Sequence, residues 1–401
     1  MVRRCMAVVG LFALLLVACG EGEPTADEAA PADDDAAVED DAADDDAAVA
    51  DAECTLDEPV PVGVVFSQTG GAAVYGESQT NAVRLAADEL NERGTVTYDL
   101  HIEDDASDPS QGITAYERLI HGEGVSALIG PTLSNVFFSA GPIAQENSVP
   151  ALGVSTTADG ITDIGDYIFR DALTEAQVIP QTVAAAVEEF DIERVAVLYS
   201  DDDAFTVSGY EIFVQALEDQ GIEIATTQSF ATGDTDFSAQ LTVARDEEPD
   251  ALMVSALAEE AALLLSQARS LDLDVPVVGG NGFNSPAIAE QAGEAAEGVV
   301  VGAAWNAAAD DPLNEDFKAA FEDATGRQPD QFAAQAYAGM KIIAEAVERA
   351  CSADPTAIRD ALDGIRGLDT VLGDFSFTDN RDADHEGVTQ IIEDGRFALL
   401  D

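Results

Sequence analysis

The sequence predicts two α/β lobes, each built on a doubly wound parallel sheet, and three observations carry that prediction. From residue 54 onward, short apolar runs alternate with longer amphipathic segments, the pattern of parallel strands joined by helices. This Ala/Val/Leu/Ile-rich stretch runs for about 350 residues, more than one hydrophobic core usually serves. The alternation also occurs as two separate series, and what remains after them is too little for a third domain.

The first series opens with the apolar run Val60–Phe66, followed by residues 77–92, where Ala82, Val83, Leu85, Ala86, Ala87 and Leu90 fall on one helical face. The unit repeats as strand Tyr98–Glu103 with helix 109–121, then strand Ser126–Ile129 with helix 133–146, then strand Val149–Gly153. The second series reads helix 176–189, strand Val195–Tyr199, helix 207–219, strand Ile222–Thr227, helix 236–246, strand Ala251–Ser255, helix 259–270 and strand Val275–Gly279. A strand at Val299–Ala303, helices at 313–325, 330–350 and 355–363, and a terminal β segment follow. Within that segment, Asp394-Gly395 between two apolar runs predicts a tight hairpin. These late elements complete the two lobes, so lobe 1 is expected from 54–174 and 304–373, lobe 2 from 175–303 and 374–401. The chain would cross between them more than once, and the crossings would act as hinges.

Open parallel sheets bind ligands in the crevice beyond the carboxyl ends of their strands. Two such sheets facing one another make a cleft that can close. The loops at that end are 67–76, 130–134, 154–157, 200–205, 256–258 and 280–284, rich in Gly, Ser, Thr, Asn and Asp. They supply hydroxyls and exposed backbone amides, and none of them alone is specific.

The N-terminus has the layout of a secretory signal: Arg3 and Arg4, then an apolar run too short for a permanent membrane span. It ends in Leu16-Val17-Ala18-Cys19, which resembles the bacterial lipobox and implies a signal over 1–18 and lipidation of Cys19. Residues 20–53 contain only Gly, Glu, Pro, Thr, Ala, Asp and Val. Without aromatic residues and with nearly half its positions acidic, 19–53 reads as an extended acidic tether. The acidity is not confined to it. The whole chain carries a formal charge of −62, and without the tether acids and the two signal arginines the body still stands at −49. Nucleic acid is therefore excluded as a partner, and such self-repulsion suits a salty habitat that screens it. Two cysteines remain in the body, Cys54 and Cys351, either a disulfide, as an oxidising compartment favours, or two thiols.

Four segments carry a resemblance: VPVGVVFSQTGGAAVYGESQTNAVRLAADELN, ALIGPTLSNVFFSAGPIAQENSVPALGVSTT, GITDIGDYIFRDALTEAQ, and AAQAYAGMKII before GDFSFTDN. In order and spacing, over about residues 58–398, they resemble the type I periplasmic binding-protein family, and most of all its branched-chain amino-acid (leucine/isoleucine/valine) branch. The resemblance implies the type I fold and a monomeric, lipid-anchored, extracytoplasmic solute-binding protein. It further implies that closure of the cleft captures a small-molecule ligand, a branched-chain amino acid or a related amide, urea-like compound or carboxylate, for delivery to an ABC permease and its ATPase. Position by position it places Tyr75 over the ligand, Ser134, Ser155, Thr156 and Thr157 at a polar head, and Phe205, Leu257, Ala258 and Asn281 on the facing lobe. Ser134 begins a helix, where free amides favour an anion. Asn281 falls close to where leucine-type binders use a carboxylate for the ligand's α-ammonium. Either Asp201 to Asp203 replace that charge, or the ligand lacks an ammonium.

Other chemistry finds little support. His101, His121 and His385 lack metal-ligand spacing, and no CxxC pair, phosphate-binding loop or nucleophile elbow occurs. Gly280-Asn281-Gly282 is too short for a dinucleotide fingerprint. Asp382, Asp384, Glu386, Gly387 and Glu393 have the spacing of a calcium loop, but no helix flanks them and a polar turn explains them equally. No cofactor, metal or enzymatic activity is expected. The alternative to an importer component is a ligand-binding sensor acting with a membrane partner.

Overall fold

The computed structural model describes residues 54–400; the signal, Cys19 and the acidic tether lie outside them. The strand Val60–Phe66 (β1) is apolar at nearly every position and lies inside the first sheet with a neighbour on each side, buried on both faces. It pairs in parallel with Tyr98–Asp104 (β2) on one side and Ala127–Ile129 (β3) on the other. Ala151–Gly153 (β4) and Ile168–Arg170 (β5) extend the sheet, giving the order β2-β1-β3-β4-β5. Between them run the helices Ala73–Arg93 (α1), Pro109–Glu117 (α2) and Ser134–Glu146 (α3).

The second sheet has seven strands. Arg194–Ser200 (β6), Glu223–Phe230 (β7), Ala251–Ser255 (β8), Val277–Gly279 (β9) and Val300–Ala303 (β10) are parallel. Val388–Glu393 (β14) and Arg396–Leu399 (β15) add an antiparallel hairpin beside β10. Asp394 and Gly395 form its two-residue turn, both with positive φ (51° and 70°), as an Asp-Gly hairpin requires. The lobe's helices are Glu175–Phe190 (α4), Ala204–Gln220 (α5), Ser238–Asp246 (α6), Ala258–Ser270 (α7) and Pro286–Ala292 (α8). Local chemistry fixes two of the starts that border the cleft. Thr174 and Gln177 close a capping box on α4, and the Asp203 carboxylate accepts the Phe205 and Thr206 amides of α5.

The helices Pro312–Thr325 (α9), Gln331–Ala350 (α10) and Pro355–Asp363 (α11) return to the first sheet, where α10 packs along α1 with fifteen of its twenty residues buried. Such a helix can sit only inside a core. The chain then forms a small antiparallel sheet of Leu368–Thr370 (β11), Gly373–Phe377 (β12) and Ala383–Asp384 (β13). It passes between the two large sheets three times, after β5, after β10 and after β13. The lobe boundary expected at 373/374 falls inside this small sheet. Phe377 packs edge-on against Phe169 of β5 at 5.2 Å, which keeps β12 with lobe 1, and the chain rejoins the larger sheet at Val388.

Further differences are local. Helix 109–121 ends as α-helix at Glu117 and continues as a π-type turn over Arg118–Glu123. Strand β9 begins at Val277, since Pro276 has no N–H to give to a ladder. Cys54 and Cys351 are bridged, with Cα atoms 5.4 Å apart, so the residues before β1 are stapled to the end of α10.

Candidate functional site

The carboxyl ends of both sheets converge on a small cavity lined by Tyr75, Thr132, Leu133, Ser134, Ser155, Phe205, Asn281, Gly282 and Phe332. A larger hollow bordered by Glu89, Tyr337, Lys341 and Leu368 lies beside α1 and α10 away from the cleft, whereas two others, sharing Val74, Glu77 and Glu290, lie between α1 and α8. The cavity has two kinds of wall. Tyr75, Leu133, Phe205 and Phe332 make an apolar one, the Tyr75 and Phe332 rings lying 4.3 Å apart. Ser134, at the first position of the thirteen-residue α3, faces it with a hydroxyl and the free amides of a helix start.

Hydrogen bonds hold the polar wall in place. Gln79 of α1 donates to Ser155 Oγ (2.7 Å), Ser155 donates to the Thr132 carbonyl (2.7 Å), and the Thr132 hydroxyl donates to Gln79 Oε1 (2.6 Å). The Ser155 hydroxyl proton is thus already committed within lobe 1. Ser134 Oγ accepts the Ala158 amide at 3.3 Å. Behind these loops the buried Arg170 guanidinium donates to the carbonyls of Thr156 (3.1 Å) and Ala158 (2.7 Å) and to the Asp382 carboxylate (2.5 Å). Asp382, one of the acids with calcium-loop spacing, is therefore the anion of this ion pair.

The two lobes are closed on one another. Tyr75 donates its hydroxyl to the Gly282 carbonyl (2.8 Å), Asn135 bonds both the Asp203 carboxylate (2.8 Å) and the Ala204 amide (2.9 Å), and the Asp159 amide reaches Ser208 Oγ (3.2 Å).

Of the residues singled out from the sequence, Tyr75, Ser134, Ser155, Phe205 and Asn281 line the cavity. Thr156 points back into lobe 1, its hydroxyl against Gly153, where a methyl group would sit 2.2 Å from it. Thr157 is buried beside Glu175 and does not line the cavity. Leu257 and Ala258 stand at the start of α7 without lining the cavity, although the Tyr75 hydroxyl lies beside the Ala258 amide. Asn281 uses its oxygen to accept from Gln331 Nε2 at 2.7 Å. None of the three aspartates weighed as a substitute charge lines the cavity. Asp201 accepts from Ser229, Asp202 from Thr232, and Asp203 caps α5. Thr132, Leu133 and Gly282 lie in the loops that the crevice rule indicated without having been singled out, whereas Phe332 and Glu175 were missed. Phe332 opens the late helix whose later residues carried the resemblance. Glu175 gave no signal, because an acidic residue after a Thr cap is ordinary helix-start chemistry.

Burial dominates the electrostatics of the site. It pushes Glu175 up to about 7, against the Thr157 hydroxyl, the Asn281 amide and Arg170, which lower it. Burial likewise raises Asp203 and Asp330, the caps of α5 and α10, to about 6 each. All three hold protons in the folded chain over a range where the unfolded chain has released them. Folding therefore takes up protons between about pH 4 and 7, so stability falls as pH rises through that window and levels off above it. Denaturant unfolding of the unligated chain at fixed high salt should show a higher midpoint at pH 5 than at pH 7.5. A midpoint that rises with pH would contradict these assignments.

With this geometry in place, comparison with known proteins is decisive at one level. The family model described as periplasmic binding protein matches residues 59–393. The chain belongs to the periplasmic binding protein family. A Leu/Ile/Val-binding protein of Rhizobium johnstonii is 26% identical over 330 residues, 80% of this chain and 88% of the relative. The substrate-binding protein of a branched-chain amino acid transporter from Streptococcus pneumoniae, solved with isoleucine, superposes with a TM-score of 0.80 at 25% identity, covering 85% of this chain and 98% of that one. A solute-binding protein of an ABC transporter from Rhodopseudomonas palustris, solved with 3,4-dihydroxybenzoic acid, gives 0.78 at 25% identity, covering 84% and 95%. These family members are solute-binding proteins, and the two-lobed type I architecture is theirs as well.

Proposed function

We propose that this chain is an extracytoplasmic, lipid-anchored solute-binding protein that captures a small organic carboxylate by closing its lobes and delivers it to an ABC permease. The observation that carries this reading is the cavity at the meeting of the two sheets, with the start of α3 on one side and three aromatic rings on the other. A helix start with free amides favours an anion, and the rings favour an apolar remainder. Isoleucine and 3,4-dihydroxybenzoic acid, held by the two structural relatives, share that division into a carboxylate and an apolar body. A branched-chain amino acid is the first candidate.

The direct bonds between Tyr75 and Gly282 and between Asn135 and Asp203 support closure as the working motion, in which ligand biases a hinge equilibrium and no bond is made or broken. The lipobox-like end of the apolar run at Cys19 supports the lipid anchor, and the Cys54–Cys351 bridge supports an oxidising compartment. The test is a thermal-shift screen of the full chain in high salt against amino acids, simple carboxylates, amides and sugars. A ligand at 100 times its Kd stabilises the folded state by about 2.7 kcal/mol, so a carboxylate should raise the melting temperature and sugars should not. A shift with sugars alone would overturn the reading.

A further inference from the structure

We infer that Glu175 is the anionic pole of the cleft, the group that recognises a primary ammonium on the ligand and so makes that ligand a zwitterionic amino acid. The inference rests on the reading of the cleft given above. Glu175 is fully buried at the first position of α4, where the chain enters lobe 2. Among the described residues neither of its carboxylate oxygens has a hydrogen-bond partner of ordinary geometry, and the same holds for the buried hydroxyls of Thr157 and Ser255. Buried polar atoms are almost always satisfied, and leaving a carboxylate and two hydroxyls without partners is costly.

These atoms share one place. A methyl group on Gly209 would sit 2.5 Å from Ser255 Oγ and 3.7 Å from Glu175 Oε2; one on Gly280 would sit 3.4 Å and 3.8 Å from the same two atoms. Glycine at both positions keeps the space around Glu175 open. The carboxylate also lies beside the Thr157 hydroxyl and the Asn281 amide, and Asn281 lines the cavity. The charged group acting on Glu175 is Arg170, whose guanidinium is already engaged by Asp382 and by the Thr156 and Ala158 carbonyls. A primary ammonium supplies three donors and a positive charge, which matches a carboxylate with two hydroxyls at hand. A phenol offers one donor, and a second carboxylate would be repelled. With the start of α3 as the opposite pole, the cleft presents separate places for the two charges of an amino acid. The carboxylate that the residue at 281 fails to supply comes from a different element, the N-terminal turn of α4.

The discriminating pair is isoleucine and 3-methylpentanoate, which differ only by the ammonium, titrated calorimetrically into the full chain in high salt at about pH 8, above the value of about 7 to which burial raises Glu175, so that its carboxylate is ionised. The unaltered protein is expected to bind isoleucine at least about 30-fold more tightly, roughly 2 kcal/mol of charge-assisted recognition. Glu175→Gln should lower the isoleucine affinity by a similar factor and leave the 3-methylpentanoate affinity within about threefold. If the unaltered protein binds 3-methylpentanoate or benzoate as tightly as isoleucine, or if Glu175→Gln binds isoleucine undiminished, the inference falls while the carboxylate-binding reading stands. If no carboxylate binds, with or without an ammonium, both fall. The comparison of the two ligands on the unaltered protein decides the matter even if the variant does not fold.

Discussion

Replacing Arg170 by methionine is expected to destabilise the chain by about 3–5 kcal/mol and to weaken ligand binding at least about tenfold. Arg170 is 1% exposed at the end of β5, and its guanidinium holds three acceptors from two different parts of the chain. Two are the carbonyls of Thr156 and Ala158, which shape the loop after β4; the third is Asp382, just before the last crossing between the lobes. The backbone beside them is tied as well, with the Arg170 amide donating to the Arg381 carbonyl and the Arg381 side chain reaching the carbonyls of Ile168 and Thr162. Methionine fills most of the volume but leaves two buried carbonyls and a half-buried carboxylate without their cation. The loop that carries Ser155 and Thr157 then loses its backing. Arg170→Lys should fall between the two, because an ammonium keeps the charge and cannot reproduce the fork. Denaturant unfolding at fixed salt, followed by ligand titration, measures both effects. A loss below about 1 kcal/mol for the methionine variant would show that the ion pair does not organise this region.

Replacing both Cys54 and Cys351 by serine should cost up to about 5 kcal/mol, because the bridge closes a loop of 297 residues and most of its effect is to restrict the unfolded chain. At the entropy of unfolding usual for a body of this size, that corresponds to a fall in melting temperature of roughly 5–10 °C. Reduction of the unaltered protein should produce the same fall. Ligand affinity should stay within about threefold, since the bridge joins the residues before β1 to the far end of α10 and touches nothing in the cavity. A melting temperature that does not respond to reduction would mean that the staple adds nothing the packing of α10 against α1 has not already fixed.

Legibility in the sequence followed the length and burial of each element. Strands such as β1, buried at every position but Pro61, and β8, buried throughout, and helices such as α11, capped by Asp354 with Pro355 at the first turn, stood out with nearly their observed bounds. The three-residue β5 and the β11–β13 sheet were missed, because strands this short have no period to display and gain their order from Phe169, Phe375 and Phe377 packing together. In the site, the residues that follow strands in sequence were legible, since the crevice rule points to them: Ser134, Ser155 and Phe205. Residues that reach the cleft from elsewhere were not. Phe332 arrives from α10, nearly two hundred residues after the β4 loop that it faces across the cavity, and Glu175 from a helix start that chemistry alone would explain as a dipole effect. The departure noted at Asn281 was informative, but the aspartates considered in its place are occupied in holding their own loops.

The most direct test of the cleft is a calorimetric titration of isoleucine into the full chain, alongside Ser134→Ala and Phe205→Ala, which alter its polar and its apolar wall. One saturable site per chain, weakened by each substitution by about 1–3 kcal/mol, is the result expected of a ligand held between the start of α3 and the aromatic wall. Binding that survives both substitutions unchanged would place the ligand elsewhere on the molecule and contradict the account.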